Sequence, residues 1–300
     1  MTAHSEPARA VAYLLLGLTS LFWGGNAIAS RMAVGNVSPM TLTCVRWALI
    51  AVFFAWWLRK PIAEALPVLR AEWKRIALMG TFGFTVFNAL FYASGHFTSA
   101  MNMLILQGSI PVLVLLGALA LHRTPISQVQ VVGMLVTFAG VAVVATQGRV
   151  GAVLRLELNF GDILMMAACI VQAGYVLSLR GKPKLDAMTL FAAMALAAFL
   201  SSAPLFALEI YAGVTTWPTP AGWLILAFVA IFPSTLAQIF FIRAVGLIGP
   251  GRAGIFINLV PVFGALLAVG LLGETFAIHH AVALACVLCG ILLAEWRIPG

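Results

Sequence analysis

Apolar residues run along this chain in blocks of about twenty, broken by short stretches rich in Lys, Arg, Pro, Gly or Asn. The blocks predict ten helices, over about 11–34, 39–58, 75–96, 100–121, 126–147, 160–180, 187–210, 222–243, 251–272 and 278–296. A bilayer's hydrocarbon core of ~30 Å needs about 20 apolar residues at a rise of 1.5 Å each, so every block is long enough to cross it. The runs are continuous, whereas the strands of a membrane barrel alternate over ~10 residues. The expected fold is an all-α membrane protein with ten transmembrane helices.

The pattern repeats. Gly80 to Ala145 line up without gaps on Ala230 to Glu295, an offset that places Ile110-Pro111-Val112 on Val260-Pro261-Val262. Under the same offset Phe82 meets Phe232, Asn88 meets Gln238, Phe91 meets Phe241, Leu121 meets Leu271 and Gly140 meets Gly290. Five predicted helices fall in each half, and an odd number per copy forces the second copy to enter the membrane from the opposite side. The expected organisation is therefore two inverted five-helix repeats, 1–147 and 160–300, joined by a connecting loop at 148–159. Between the second and third predicted helices, Arg59 to Lys74 carries Pro61, Glu64, Pro67 and several charges, and reads as a short interfacial helix.

Composition agrees with a bilayer environment. Hydrophobic residues make up 63% of the chain, charged residues 9%, and the mean hydropathy is +1.07, too little charge to cover a soluble surface. A net charge of +8 raises the question of nucleic acid, but the basic residues sit between the apolar blocks rather than along a groove with interleaved aromatics. They are asymmetric: with the N-terminus inside, thirteen Lys and Arg fall in inner loops and only Arg149 and Arg155 in an outer one. That bias puts both termini in the cytoplasm. Trp56, Trp57, Trp73, Trp217 and Trp296 stand near helix ends, where an amphipathic ring suits the interface. The first ten residues lack a cleavable signal pattern, so the first helix is expected to be retained.

Few motifs point to chemistry. Gly249-Pro250-Gly251-Arg252-Ala253-Gly254 matches a dinucleotide fingerprint, but apolar helices flank it where a strand and a βαβ unit are required. Cys44, Cys169, Cys286 and Cys289 lie inside apolar runs and read as small core residues, with no second pair or histidine to make Cys286 and Cys289 a metal site. His279-His280 has no acidic motif at ligand spacing, and no Ser-His-Asp grouping is evident. An intramembrane enzyme is thus not indicated, no cofactor or metal is expected, and no charge ring or filter loop suggests a channel.

The informative residues are uncharged amides and rings inside the helices: Asn26, Asn88, Asn102, Gln107, Gln172, Gln238 and Asn258, with Tyr92 and Tyr175. An amide in hydrocarbon needs partners, which places these toward the bundle interior or a wet cavity. Each one alone is explained equally well by a hydrogen bond between helices. Arg46 lies about seven residues into its helix, roughly 10 Å deep; there it either holds a substrate carboxylate or snorkels outward as an anchor. Asp162, Glu209, Glu274 and Glu295 all stand near helix ends. Pro111 and Pro261 are repeat-related and predict matching kinks that serve as hinges. Gly24-Gly25 clears space beside Trp23. The candidate substrate site is Trp23, Arg46, Asn88, Gln107, Tyr175, Gln238 and Asn258.

Phe22-Trp23-Gly24-Gly25-Asn26, Ser38-Pro39-Met40-Thr41 followed by Arg46, Thr98-Ser99-Ala100, and Pro111 with Gly133 and Gly140 together resemble the drug/metabolite transporter superfamily. Pro261, Leu272-Gly273-Glu274 and Gly290 extend the likeness to exporters built from two EamA domains, over nearly the whole chain. The first copy has Leu121-His122-Arg123-Thr124 where such proteins carry a Leu-Gly-Glu turn, so that glutamate survives only at Glu274. The resemblance implies a ten-helix carrier in a bacterial cytoplasmic (inner) membrane, with a central cavity and alternating access, and within the family it looks most like the aromatic amino-acid and paraquat exporters. The expected partners are a small-molecule substrate and the lipid bilayer, with no nucleic acid; a monomer meets the requirement, and the sequence leaves the oligomeric state open. Amino acids or similar small metabolites are the first substrate expectation and multidrug or quaternary cations the second. With no acid deep in the membrane, movement is expected to be facilitative or by exchange.

Overall fold

A computed structural model of the chain describes residues 6–123, 126–148, 159–248 and 256–295. The described residues are helical throughout, without strands. Eleven helices follow in order: α1 Glu6–Ala33, α2 Pro39–Trp57, α3 Arg59–Ala71, α4 Trp73–Ser94, α5 Ala100–Leu121, α6 Gln128–Ala145, α7 Phe160–Ser178, α8 Ala187–Tyr211, α9 Pro220–Ile248, α10 Phe256–Leu272 and α11 Ile278–Glu295. Eight of them are long and apolar enough to cross a membrane; α10 and α11 are apolar but shorter. The Gly249-to-Gly254 fingerprint, Arg149, Arg155, Thr124, Trp296 and Arg297 lie outside the described residues.

The expected interfacial segment is α3. No residue in it is buried, its Arg59, Lys60 and Arg70 are exposed, and Ile62 is half-buried against the α2–α8 packing. Helix starts follow local chemistry. Ser127 and Gln130 form a capping box at α6, Asp186 accepts from the amides of Met188 and Thr189 at α8, and Thr219 accepts from Gly222 ahead of Pro220 at α9.

Packing partners recur across the 150-residue offset. α6 lies along α11 and α2 along α8; α1 packs on α9 and α10, while α7, its counterpart, packs on α4 and α5. Glycine sets the closest of these approaches. A Cβ on Gly24 of α1 would come within 2.8 Å of the Gly264 backbone nitrogen on α10, and one on Gly290 of α11 within 2.6 Å of the Gly133 carbonyl on α6. The Gly24-Gly25 pair thus makes room for α10 and for the Phe228 ring of α9.

Two irregularities also recur. α4 widens to a π-helix over Thr81–Val86 and α9 over Ala230–Leu236. A π turn releases carbonyls from the ordinary ladder, and side chains take them up: Asn88 donates to the Phe84 carbonyl, Ser234 to Val229 and Thr235 to Ala230. The prolines stand differently from expectation. Pro111 and Pro261 each sit in the first turn of a 13-residue helical segment, Ile110–His122 and Val260–Leu272. The irregular backbone precedes them, at Gly108–Ser109 in α5 and in the 3₁₀ turn Phe256–Leu259 of α10. A proline in a first turn sacrifices no helical hydrogen bond, so the breaks, not free carbonyls around the prolines, are the points of irregularity.

Candidate functional site

Arg46 is the polar centre of the bundle. It lies on α2 with only 6% of its surface exposed, and its Nη1 donates to Asn88 Oδ1 at 2.8 Å and to the Tyr92 hydroxyl, both on α4. Tyr92 in turn donates to Asn26 Oδ1 on α1 at 3.0 Å. The guanidinium carbon stands 4.9 Å from the centroid of Trp47 and 5.9 Å from that of Tyr92, a cation–π setting that weakens the charge's demand for water without neutralising it. Snorkelling is excluded by this burial.

The charge has no acidic partner among the described residues. Among the described residues the one ion pair joins Arg75 to Glu72, at 3.4 Å, and no Asp or Glu lies against Arg46. Its Nε is buried without a hydrogen bond, and so is the indole Nε1 of Trp47 beside it. A buried cation normally comes paired, since leaving one unpaired costs several kcal/mol (~3–5 for a broken pair). Two adjacent buried donors therefore stand unused beside a positive charge that no acid among the described residues balances.

Aromatic rings extend from that centre. Trp47 stacks on Phe84 at 4.6 Å and 4°, and Phe84 meets Tyr175 at 5.5 Å and Phe191 at 5.6 Å. Gly83 makes this possible, since a Cβ there would fall 2.3 Å from the Tyr175 ring.

The other sequence candidates are distributed around the centre. Trp23 is half-buried between α1 and α9; its indole donates to the Pro233 carbonyl of the π segment at 3.0 Å, and its ring meets Phe241. Gln107 is half-buried at the end of the first segment of α5, just before the break. Gln238 is half-buried on α9, and Asn258 lies in the 3₁₀ turn of α10 with its Nδ2 buried and unbonded. Gln172 Oε1 on α7 is likewise buried and unbonded. Among the described residues the structure bonds only Asn88 of the candidates to Arg46, together with Tyr92. No hydrogen bond joins Trp23, Gln107, Tyr175, Gln238 or Asn258 to that centre. Met188-Thr189-Leu190 of α8 repeats Met40-Thr41-Leu42 of α2, a register that sets Met194 against Arg46, so the polar centre belongs to the first half.

Carboxylates do their work elsewhere. Ser38 begins α2 without capping it; Glu209 from the end of α8 does so instead, accepting from the Ser38 hydroxyl, from Met40 N at 3.1 Å and from Thr41 Oγ1 at 3.3 Å. Glu274, just beyond α10, accepts from Ala100 N at 2.9 Å and Met101 N at 3.0 Å, one oxygen each, at the start of α5. Asp162 in the first turn of α7 takes the Thr98 hydroxyl at 2.6 Å and approaches the Asn102 amide. Glu209 and Glu274 satisfy helix-start amides, Asp162 takes side-chain donors, and all three complement the positive end of a helix dipole. These contacts gather at one end of the bundle, where Asn36 also meets Thr219 at 2.7 Å and Arg31 meets the Gly95 carbonyl. In the turn there, His96 is pushed below the ordinary histidine value by burial and by Arg31, against the pull of Glu209. At the opposite end, that of α3, the described contacts between helix termini reduce to Arg75 with the Gly181 carbonyl at 2.7 Å. Sequence reading missed these clasps; the Leu-Gly-Glu turn was the available signal.

The four cysteines are free, and no group of three or more His, Cys, Asp and Glu among the described residues forms a metal site.

Comparison with known proteins places this geometry. Residues 10–146 and again 159–296 match the EamA-like transporter family. The chain is 25% identical over 292 residues to the uncharacterized transporter YyaM of Bacillus subtilis (strain 168), covering 96% of this chain and 95% of that protein. It is also 25% identical to the uncharacterized transporter YetK of the same strain, over 94% of this chain and 86% of that one. An uncharacterized transporter of Archaeoglobus fulgidus is 25% identical over 94% of this chain and 96% of its own length. A protein crystal structure at 19% identity superposes with a TM-score of 0.64 over 95% of this chain and 96% of that chain, a likeness of fold alone. None of these relatives carries a named substrate, so the expected closeness to aromatic amino-acid or paraquat exporters has no support in them.

Proposed function

Since the chain belongs to the EamA-like transporter family, we propose that it exports amino acids, aromatic and neutral ones included, or similar small carboxylate-bearing metabolites across a bacterial cytoplasmic membrane. The observation that carries the substrate reading is Arg46: a buried guanidinium with an unbonded Nε, beside an unbonded Trp47 indole and without an acidic partner among the described residues. A substrate carboxylate supplies the missing acceptor, and a bidentate fork fits it. The Trp47–Phe84–Tyr175–Phe191 cluster offers apolar contact area for a side chain. A quaternary cation gains nothing from this centre, since the one charge in it is positive.

The chain moves its substrate by alternating access, through rocking of two inverted repeats, 1–147 and 160–300, about the breaks that precede Pro111 and Pro261. The recurrence of packing partners and of π segments across the offset supports that symmetry. Both termini and α3 face the cytoplasm, as the distribution of basic residues favours. Transport is facilitative or by exchange: the half-buried Glu209 and Glu274 and the buried Asp162 are engaged at helix starts and not lodged beside Arg46. Counterflow in proteoliposomes, run across the amino acids with and without a pH gradient, tests this. Exchange of several amino acids that ignores a protonophore is the expected result; exchange of none, or uptake that collapses with the protonophore, overturns the reading.

A further inference from the structure

The helices α4 and α7 part company toward the α3 end. α7 packs against Thr81–Ser94 of α4, whereas Trp73–Gly80 packs on α8 instead. The wedge between them is a groove of about 460 Å³, within the usual range of small-ligand pockets (~300–1,000 Å³). Leu78, Met79 and Phe82 form one wall and Val171, Gly174 and Tyr175 the other, at helical spacings that line up one face of each helix. The groove is open along its length: Leu78 is 60% and Phe82 49% exposed, and a Cβ on Gly174 would meet no atom within 4 Å.

Its mouth is polar and positive. Arg75 bridges the two walls through its bond to the Gly181 carbonyl, and with five guanidinium donors it retains capacity beyond that bond and its 3.4 Å pairing with Glu72. Lys74, Lys182 and Lys184 are exposed on the same rim, and Asp186 there is occupied in capping α8. Trp73, its ring 5.8 Å from the Lys74 ammonium, is 59% exposed at the start of α4, and such rings are enriched where helix ends meet lipid headgroups. An apolar slot that opens onto hydrocarbon and ends at a cluster of cations at headgroup depth matches one class of molecule.

We propose that the α4–α7 groove binds one acyl chain of an anionic phospholipid whose phosphate is held at Arg75. Purified protein is incubated with equal amounts of phosphatidylglycerol and phosphatidylcholine of one chain length and examined by native mass spectrometry. One phosphatidylglycerol should be retained at least about fivefold over phosphatidylcholine. Arg75→Gln should bring the two lipids to parity, and Gly174→Trp, which fills a space that is open, should remove both. A photoactivatable phosphatidylglycerol should label peptides from α4 and α7, and Gly174→Trp should abolish the label; this readout needs no comparison of folded yields. Equal retention of the two lipids by the unaltered protein, or labelling that survives Gly174→Trp, overturns the proposal. So does a Gly174→Trp protein that keeps its lipid but loses transport, since the groove is then a path for substrate.

Discussion

Replacing Arg46 by methionine removes the charge while keeping an unbranched apolar side chain in the bundle. Truncating one partner of a buried, hydrogen-bonded charge pair costs ~2–5 kcal/mol. We take ~2–3 kcal/mol here, because the Trp47 and Tyr92 faces already carry part of the cation's stabilisation. At 1.4 kcal/mol per factor of ten, that is about a 30- to 150-fold loss of preference for a free carboxylate. The variant also strands Asn88 Oδ1, at ~1–3 kcal/mol for a lost buried partner, although Tyr92 keeps its bond to Asn26. A simple fall in transport is therefore ambiguous, and a ratio is needed. Counterflow of an amino acid is compared with counterflow of its amide in the same vesicles, so that folded yield cancels. The unaltered protein should favour the acid by at least about 30-fold; Arg46→Met should favour neither; Arg46→Lys, which keeps the charge but not the fork, should fall between. Undiminished preference in Arg46→Met refutes the assignment of the carboxylate to this residue.

Other expectations follow from particular contacts. Gly24→Val must push α1 off the Gly264 backbone and should lower the unfolding midpoint by an amount corresponding to ~1–3 kcal/mol, measured by thermal unfolding in detergent; Gly17→Ala, with nothing within 4 Å, should leave it unchanged. Glu274→Ala removes a two-oxygen cap from α5 and should cost ~0.5–2 kcal/mol in the same assay, with Glu274→Gln intermediate. Pro111→Ala together with Pro261→Ala lets each helix extend back through its break, so turnover should fall severalfold while substrate affinity holds; unchanged turnover rejects the hinge. A cysteine placed between Gly148 and Asn159 should react with an impermeant reagent in intact cells, and reaction only after lysis reverses the proposed orientation.

The all-helical class, most helix boundaries and the separate short helix α3 were legible because bilayer thickness and polar punctuation constrain them directly. α2 runs 39–57 against an expected 39–58, and α7 runs 160–178 against 160–180. α9 was read too short, at 222–243 against Pro220–Ile248, because Arg243 looks like a boundary while the helix continues past its exposed side chain. The π segments were not legible: the β-branched, aromatic and glycine residues of Thr81–Val86 are weak helix formers, but the apolar runs around them share such residues, and the widening depends on which side chains can take up the released carbonyls. Arg46 and Asn88 were found as polar residues out of place in hydrocarbon. That Tyr92 and Asn26 complete their network, while Gln107 and Asn258 do not join it, is decided by the rotation of whole helices, to which a linear pattern is blind. The acids near helix ends were noticed for their absence from mid-membrane; their use as caps on other helices needs the tertiary approach of α8 to α2 and of α10 to α5.

The allocation of charge between the halves has a consequence for how such a chain can change over generations. The first half supplies Arg46, Asn88, Tyr92 and Asn26, while Met194 occupies the place matching Arg46 in the second. The second half supplies Glu209 and Glu274, while Thr124 occupies the place matching Glu274 in the first. A molecule assembled from two first halves would hold two buried cations and no carboxylate to tie down α2 and α5. One assembled from two second halves would keep the carboxylates and lack the buried guanidinium at its centre. Divergence after duplication has thus made the copies complementary specialists, and neither can be exchanged for the other without losing the buried guanidinium or the carboxylate clasps.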